Sequence, residues 1–455
     1  MHKTILQEII SNKLIWLKER KKKQPLNSFY NNVHRTRINF LKQIQNVHPF
    51  FILECKKYSP SLGLINSTFD LNKICDVYKK YASVVSVLTD EQYFHGKFEF
   101  LSIVRSIITQ PILCKDFFID VYQIYLARYY QADAILLMLS VLNDEQYNIL
   151  SYTAKFLNMG VITEINNIKE LERAINLKSE IIGINNRNLH DLSIDINRTK
   201  TLAPLIPNHI HIISESGINS YSQVRELSAL VNGFLIGSTL MKSHNLDFEI
   251  RKIIIGQNKI CGLTQTIDSK ISEEAGAVYG GLIFVKNSKR YINIEQAIKI
   301  INTAYLQYVG VFQNEDINLI VSLVKELSLY AIQLHGNENQ NYINVLREKI
   351  PSSTYIWKAL SIKDKFPILN LKFIDYYLFD SIYGGSGTQF NWSILFNHNL
   401  SNIILAGGIN LKNCIYASKL GCAGLDFNSG VEDSQGKKNK KKIISVFHSL
   451  RYYYT

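Results

Sequence analysis

Lysines and carboxylates recur in the first half of the chain at the ends of short apolar segments. Glu54 and Lys56 follow the first segment, Lys115 follows the third, and Glu164 follows the fifth. Further polar residues follow the sixth and seventh segments: Asn185, Arg187, Glu215 and Ser216. Any one of them alone would more often form an ordinary ion pair. Together, at the strand ends of a parallel barrel, they would converge on one mouth, where lysines and carboxylates can hold the complementary protonation states of acid–base catalysis.

Each half of the chain also ends on a repeated pair of glycine turns. The first half has His211-Ile-Ile-Ser-Glu-Ser-Gly217 and then Gly233-Phe-Leu-Ile-Gly-Ser238. The second has Ile403-Ile-Leu-Ala-Gly-Gly408 and then Gly424-Leu-Asp-Phe-Asn-Ser-Gly430. Glycine lets backbone N–H groups approach a phosphate, and turns after the last two strands of a (βα)8 barrel form its usual phosphate site. The pattern predicts two phosphate-binding barrels.

Apolar strands alternate with stretches of helical periodicity to support such barrels. The first predicted series is 50–54, 84–88, 111–115, 134–139, 161–164, 181–185, 211–214 and 233–237. The second is 259–263, 279–285, 306–312, 330–334, 355–359, 376–379, 403–406 and 424–427. Eight strands with crossovers predict an α/β chain of two tandem (βα)8 TIM barrels, spanning 1–255 and 256–455, although a doubly wound sheet is the alternative for either half.

The first 48 residues precede this alternation and are predicted to be helical. Apolar residues recur there at helical spacing, namely Ile5, Ile9, Ile10, Leu14 and Leu17. A second helical stretch runs toward Pro49. We therefore expect the first barrel to carry an N-terminal helical extension.

Composition is that of a two-domain enzyme. The 455 residues are 46% hydrophobic and 11% aromatic, which is enough for two packed cores. Six cysteines without Cys-x-x-Cys spacing indicate reduced thiols in a cytoplasmic protein, and neither a signal peptide nor a membrane span is expected. The net charge of +13 includes basic runs at 18–23 and 437–442. We interpret these runs as solvated surface, and a polyanion-binding scaffold is the alternative.

Ordered motifs along the whole chain resemble two enzyme families. Phe51-Ile-Leu-Glu-Cys-Lys-Lys-Tyr-Ser-Pro-Ser61, Pro111-Ile-Leu-Cys-Lys-Asp-Phe117 and Ile182-Gly-Ile-Asn-Asn-Arg187 resemble indole-3-glycerol-phosphate synthase. Lys259-Ile-Cys-Gly-Leu-Thr264, Gln333-Leu-His-Gly336, Gly384-Gly-Ser-Gly-Thr388 and Leu425-Asp-Phe-Asn-Ser-Gly-Val-Glu432 resemble phosphoribosylanthranilate isomerase. The order and fusion resemble the bifunctional bacterial family of tryptophan biosynthesis.

For the second half, the resemblance implies an Amadori rearrangement of N-(5-phosphoribosyl)anthranilate. Asp380 is then the general acid at the ribose ring oxygen, and Cys261 is the base that takes the proton from the adjacent carbon. Arg290 would contact the substrate, Asp426 the sugar hydroxyls, and His335 either the substrate or only the protein. The implied phosphate-binding residues are Gly385, Gly387, Thr388, Gly407, Gly408, Ser429 and Gly430.

For the first half, the resemblance implies indole ring closure of the rearranged product, with loss of carbon dioxide and water. Lys115 would be the acid at the carbonyl oxygen, Glu164 the base of the dehydration, and Lys56 the contact to the anthranilate carboxylate. Glu54, Asn185 and Glu215 complete the catalytic set. The implied substrate contacts are Ser59, Arg187, Ser216, Gly217, Gly237 and Ser238.

Two positions depart from the family pattern. Tyr58 stands where a small or basic residue is more usual, and Lys289 replaces a proline before Arg290. Losing proline removes a constraint on φ and could loosen that loop. The resemblance implies small phosphorylated substrates, a monomer, and no need for a metal, cofactor, nucleic acid or membrane. A different phosphoribosyl isomerase or aldolase on the same scaffold is the alternative.

Overall fold

The computed structural model describes residues 4–188, 191–381 and 389–452. It divides into two compact units, one of residues up to 219 with 227–249, the other of 220–226 with residues from 250 onward. Each unit is built around a closed barrel of eight parallel strands. Within the described residues, no helix is long and apolar enough to cross a membrane.

The first barrel has its strands where apolar segments were predicted, with ends differing by a residue or two. The strands are β1 (Phe50–Cys55), β2 (Val84–Leu88), β3 (Ile112–Lys115), β4 (Ala134–Met138), β5 (Gly160–Ile165), β6 (Ile181–Asn185), β7 (His211–Glu215) and β8 (Gly233–Ile236). Pairing of Phe50 with Gly233 and of Ile52 with Val84 joins β1 to β8 and to β2, which closes the ring. Strands buried on both faces explain the continuous apolar runs of the sequence.

The second barrel repeats this plan. Its strands are β9 (Lys259–Ile260), β10 (Tyr279–Ile283), β11 (Gln307–Phe312), β12 (Ala331–Leu334), β13 (Tyr355–Ile362), β14 (Tyr376–Ser381), β15 (Ile403–Leu405) and β16 (Gly424–Phe427). Pairing of Lys259 with Asp426 joins β9 to β16 and closes the ring. Two tandem TIM barrels are therefore confirmed, and the doubly wound alternative is wrong for both halves.

Helices connect most of these strands. They are α1 (Ile5–Lys23), α2 (Phe40–Gln45), α3 (Leu71–Tyr81), α4 (Glu91–Phe94), α5 (Glu99–Arg105), α6 (Val121–Tyr129), α7 (Asp144–Phe156), α8 (Ile168–Asn176), α9 (Asn197–Leu202), α10 (Tyr221–Leu227), α11 (Ser238–Met241), α12 (Leu246–Ile254), α13 (Thr266–Ala275), α14 (Ile294–Ile301), α15 (Ile317–Leu327), α16 (Gln340–Lys349), α17 (Cys414–Ser418) and α18 (Lys440–Arg451). Side-chain caps fix many starts, as when Asn143 accepts from the N–H of Gln146 at α7. Residues 363–375, between β13 and β14, contain no helix, and Pro367 within them disfavours one.

The N-terminal extension is helical as predicted, but its buried face differs from the expected one. Leu6, Ile9 and Leu17 of α1 are buried, whereas Leu14 is 58% exposed. Lys13 is buried in the place of an apolar residue, because Asp90 and Asp116 accept from its ammonium at 2.6 and 2.7 Å. The prediction that Leu14 belongs to the apolar stripe was wrong, since two ion-pair partners from the barrel turned the polar Lys13 inward.

The helix α2 packs at the amino-terminal end of the first barrel's strands. Phe40 and Ile44 join a core cluster with Phe50, Ile52 and other inward side chains of the strands. The Phe40 ring lies so close to Gly160 that a Cβ there would collide with it. The extension thus closes the amino-terminal end of the barrel and leaves the carboxyl end for the predicted polar residues.

Candidate active sites

Lys115 lies at the centre of the polar cluster in the first barrel. Its Nζ is 2.6 Å from Oε2 of Glu215 and 4.0 Å from Oε2 of Glu164. Asn185 donates from Nδ2 to Oε1 of Glu164 at 3.0 Å. The ends of β3, β5, β6 and β7 therefore bring together four residues that are far apart in sequence.

The surroundings of this cluster raise the pKa of two of its groups, Lys115 and Glu164. Burial opposes the charge of Lys115, but the carboxylates of Glu215, Glu54 and Glu164 raise the pKa of the lysine above its ordinary value. Burial together with the Glu215 charge raises the pKa of Glu164 to about 7. Lys115 thus stays a proton donor, whereas Glu164 gains or loses a proton near neutral pH.

Glu54 and Lys56 form a second ion pair at the end of β1. Nζ of Lys56 is 2.5 Å from Oε1 of Glu54. Burial opposes ionisation of Glu54, but Lys56 and Lys115 lower the pKa of the carboxyl. Gly237 lies against this carboxylate, where a Cβ would collide with Oε1 of Glu54. A glycine at this turn is therefore required by the close approach of a charged group.

The predicted site residues of the first half, catalytic and substrate-binding, line one cavity with two exceptions, Glu215 and Ser59. A cavity of about 940 Å³ is lined by the predicted residues Glu54, Lys56, Lys115, Glu164, Asn185, Arg187, Ser216, Gly217, Gly237 and Ser238. Glu215 lies behind Lys115 and is fully buried. Ser59 lies in a short hairpin, Tyr58–Ser59 with Gly63–Leu64, and lines a separate cavity of about 80 Å³ beside Lys56 and Ser238.

Tyr58, one of the two departures, has a partner in the structure. Its ring stacks on that of His95 with centroids 4.3 Å apart and an interplanar angle of 17°. The hairpin that follows Lys56 is therefore held against the loop after α4. An aromatic residue at position 58 contributes to packing at the mouth.

In the second barrel, Cys261 directly follows β9 and lines a cavity of about 370 Å³. Lys259, two residues earlier, donates from Nζ to Oδ2 of Asp426 at 2.9 Å. Burial raises the pKa of the Cys261 thiol, and this effect outweighs the opposing charge of Lys259. The positive surroundings expected from the sequence are present, but the thiol is still harder to ionise than an exposed one.

Asp380, the second-last residue of β14, lines the same cavity close to His335. Burial raises the pKa of Asp380 to about 6, although the N–H of Ser381 donates to the carboxylate at 2.8 Å. Nε2 of His335 is 3.9 Å from Oδ2 of Asp380. Burial and the nearby charges of Lys259 and Lys358 lower the pKa of His335 to about 4, so this imidazole is neutral.

The remaining predicted residues of the second half surround Cys261 and Asp380. The cavity lining includes Arg290, His335, Gly407, Gly408, Asp426, Ser429 and Gly430. Gly385, Gly387 and Thr388 lie outside the described residues. The glycine turns after β15 and β16 therefore lie at the same mouth as the thiol and the carboxyl.

Comparison with known proteins assigns each half of the chain to an enzyme family. The family of indole-3-glycerol phosphate synthase matches residues 6–253, and the family of N-(5'-phosphoribosyl)anthranilate (PRA) isomerase matches residues 258–449. The tryptophan biosynthesis protein TrpCF of Buchnera aphidicola from Schizaphis graminum is 60% identical over 452 residues, covering 99% of this chain and 100% of the relative. The protein of the same name from Salmonella typhi is 53% identical over 450 residues, with 99% and 100% coverage.

The chain belongs to the bifunctional TrpCF family. It carries an indole-3-glycerol phosphate synthase domain and a PRA isomerase domain, so the alternative of a different phosphoribosyl isomerase or aldolase on the same scaffold is wrong. Small phosphorylated compounds are its substrates. The crystal structure of the PRA isomerase of Thermus thermophilus, 28% identical, covers 43% of this chain and 98% of its own, with a TM-score of 0.40.

Several residues at the two mouths were not predicted from the sequence. In the isomerase barrel, Lys259 is buried beside Cys261 and paired with Asp426. Alternation along a strand places residues two apart on one face, so the position of Lys259 relative to Cys261 could have identified it. In the synthase barrel, Lys242 and His244 line the large cavity, yet they follow α11 without any motif.

Proposed function

We propose that Asp380 and Cys261 carry out the isomerase reaction as acid and base. The Asp380 carboxyl gives its proton to the ring oxygen of the ribose, the bond from that oxygen to the anomeric carbon breaks, and an imine forms. The Cys261 thiolate then takes the proton from the adjacent carbon, which leaves an enolamine that tautomerises to the ketone. The raised pKa of Asp380, about 6, supports its role as the proton donor.

The residues around this pair would bind the substrate. Oδ1 of Asp426 is buried and has no hydrogen-bond partner within the described residues, so it can accept from a sugar hydroxyl. Arg290 would contact the anionic substrate, and neutral His335 would lie beside the leaving ring oxygen. The phosphate would lie against the turns containing Gly407, Gly408, Ser429 and Gly430, with Gly385, Gly387 and Thr388 in the same role.

In the synthase barrel, we propose that Lys115 is the general acid of ring closure. The ring carbon bearing the carboxylate attacks the ketone while Lys115 protonates the carbonyl oxygen, and carbon dioxide then leaves. Three facing carboxylates keep Lys115 protonated, which supports this role. Lys56 would hold the anthranilate carboxylate, with Arg187 as a second cation.

Glu164 would act as the base in the dehydration that makes the indole. Its pKa of about 7 lets it accept a proton at neutral pH, and Asn185 orients its carboxylate. Glu54 would hold Lys56 and the departing hydroxyl, and Glu215 would hold Lys115. Ser59, Ser216, Gly217, Gly237 and Ser238 would hold the phosphate. One observation carries this proposal. Lys115 lies near two carboxylates whose pKa values are shifted in opposite directions, since that of Glu54 is lowered and that of Glu164 is raised.

A coupled assay tests both assignments. Phosphoribosylanthranilate is supplied to the purified chain, and indole fluorescence reports the product of both steps. Replacing a general acid typically lowers the rate by about 10²- to 10⁴-fold. Asp380→Asn should therefore lower the rate of indole formation by at least about 10²-fold. Supplying the rearranged intermediate should restore it.

Lys115→Met should give the complementary result. Phosphoribosylanthranilate should still be consumed at the unaltered rate, while the rearranged intermediate accumulates and no indole appears. Unaltered indole formation by either variant would refute the role proposed for that residue. The activity of the other barrel in the same chain serves as the internal control.

The chain is further proposed to be a cytoplasmic monomer that does not bind nucleic acid, with its domains divided between residues 255 and 256. The match of each family to one half supports a division near this position. Lys438, within the basic run at 437–442, is buried and paired, so the run presents less charge than its composition suggests. Sedimentation over a range of protein and salt concentrations, with and without DNA, tests these statements.

A further inference from the structure

A buried carboxylate behind the isomerase cavity holds Arg290 in place. Glu432 accepts from Nε of Arg290 at 2.9 Å through Oε1 and from Nη2 at 2.7 Å through Oε2. Such a two-pronged contact fixes the plane of a guanidinium as well as its position. Glu432 is absent from the residues that line the cavity, so it lies behind Arg290.

A second cation completes this arrangement. Nζ of Lys438 is 2.8 Å from Oε1 of Glu432 and 2.9 Å from Oδ1 of Asn428. The Lys438 side chain is fully buried. One carboxylate thus accepts hydrogen bonds from two buried cations, Arg290 and Lys438.

The held arginine lies directly against the segment that carries the catalytic thiol. Gly262, which follows Cys261, has φ of +69°. A Cβ on Gly262 would meet Cδ of Arg290 at 2.6 Å, so the two are in close contact. A displaced Arg290 would therefore disturb both the substrate contact and the approach to Cys261.

The carboxylate itself comes from a short hairpin, Glu432–Ser434 paired with Lys437–Lys438. At the hairpin turn, the carbonyl of Gly436 accepts from Oγ1 of Thr264 at 2.8 Å. A Cβ on Gly436 would lie 3.2 Å from the carbonyl oxygen of Lys289. The hairpin is thus fixed against the loop in which Lys289 replaces the expected proline.

We propose that Glu432, supported by Lys438, is a positioning residue that holds Arg290 at the isomerase site. Arg290 uses Nε and Nη2 for this contact, and Nη1 remains to face the ligand. This inference rests on the substrate contact proposed for Arg290. Glu432 acts through Arg290 and does not touch the reacting atoms.

A double-mutant cycle tests the proposal. Misplacing a substrate-binding group by about 1 Å can cost about 100-fold, so Glu432→Gln should lower isomerase kcat/KM by about 10- to 100-fold, chiefly through KM. In an Arg290→Met background, the same change should have less than about a twofold further effect, because the residue through which it acts is gone. Equal effects in both backgrounds would overturn the proposal.

Two further variants distinguish the position of the Glu432 carboxylate from its charge and from general effects on the hairpin. Asp433→Asn removes a carboxylate from the exposed side of the same hairpin and should leave isomerase activity unchanged. Glu432→Asp keeps the charge but withdraws the carboxylate by one methylene, and isomerase KM should still rise. Wild-type KM in Glu432→Asp would show that charge alone matters, which is contrary to positioning.

Retained isomerase kcat in each variant reports that the isomerase barrel has folded, and synthase activity, assayed with the rearranged intermediate, reports folding of the other barrel. If Arg290→Met alone leaves isomerase KM unchanged, the proposed substrate contact is wrong. If Arg290→Met raises KM but Glu432→Gln does not, only the positioning role is wrong. The two failures are therefore distinguishable.

Discussion

The two barrel mouths place acids and bases at strand ends in different ways. In the synthase mouth, Lys115 lies among Glu54, Glu164 and Glu215, so that carboxylates keep a lysine protonated and crowd one another. In the isomerase mouth, Cys261 and Asp380 are made hard to ionise chiefly by burial, and Lys259 only partly offsets this effect. Burial therefore opposes ionisation in both cavities. Neighbouring carboxylates outweigh it at Lys115, whereas the charge of Lys259 does not outweigh it at Cys261 or Asp380.

The largest effect should follow from removing the carboxylate of Glu164 in the synthase mouth. Glu164→Gln cannot accept a proton, and we expect synthase kcat to fall by about 10³-fold, within the range typical of a lost general base. Isomerase activity in the same chain should be unchanged. Glu172→Gln, an exposed carboxylate on α8, serves as the matched control. A loss below about tenfold would contradict the base role.

A smaller effect is expected from removing the cation of the isomerase mouth. Lys259→Met leaves Asp426 buried without its partner, so Asp426 should bind a proton and the Cys261 thiol should become still harder to ionise. We expect isomerase kcat/KM to fall by about 10²-fold, measured by loss of anthranilate fluorescence, with synthase activity retained. Lys270→Met, on the exposed face of α13, should have no such effect. Equal activity in the two variants would show that Lys259 is only structural.

The smallest effect, and the sharpest comparison, is in the pH dependence of the two activities. A base with a pKa of about 7 is mostly protonated at pH 6 and mostly ionised at pH 8, so synthase kcat should rise about tenfold between these values. The proposed isomerase mechanism requires Asp380 protonated and Cys261 ionised. The pKa of Asp380, about 6, lies below that of the thiol. The fraction of enzyme with Asp380 protonated and Cys261 ionised is therefore nearly constant at pH values between these two pKa values.

Isomerase kcat/KM should therefore be level between about pH 7 and 8.5, where synthase kcat is still rising. Both profiles can be measured on one preparation, with the rearranged intermediate as substrate for the synthase. A falling synthase profile across neutrality would contradict Glu164 as base. A steep isomerase profile in this range would contradict the assignment of acid and base to Asp380 and Cys261.

Sequence patterns predicted the fold well because a barrel strand depends on local properties. Val84–Leu88, Ile181–Asn185 and Gly424–Phe427 begin and end where the apolar runs predicted. The error at Leu14 and Lys13 has a different origin, since periodicity cannot register ion-pair partners about 80 to 100 residues away in the chain. The basic run at 437–442 shows the same limit, because Lys438 was expected in solvent and is buried against Glu432.

The sequence by itself determined the two barrels, the order of their strands along the chain and the residue types available at each mouth, because alternation, glycine turns and motifs are local. Only the tertiary structure decided which charges face one another. Lys115 meets Glu215 across 100 positions, and Arg290 meets Glu432 across 142. The pKa of a buried group depends on such neighbours and on the exclusion of water, and both arise only when the strands close into a ring.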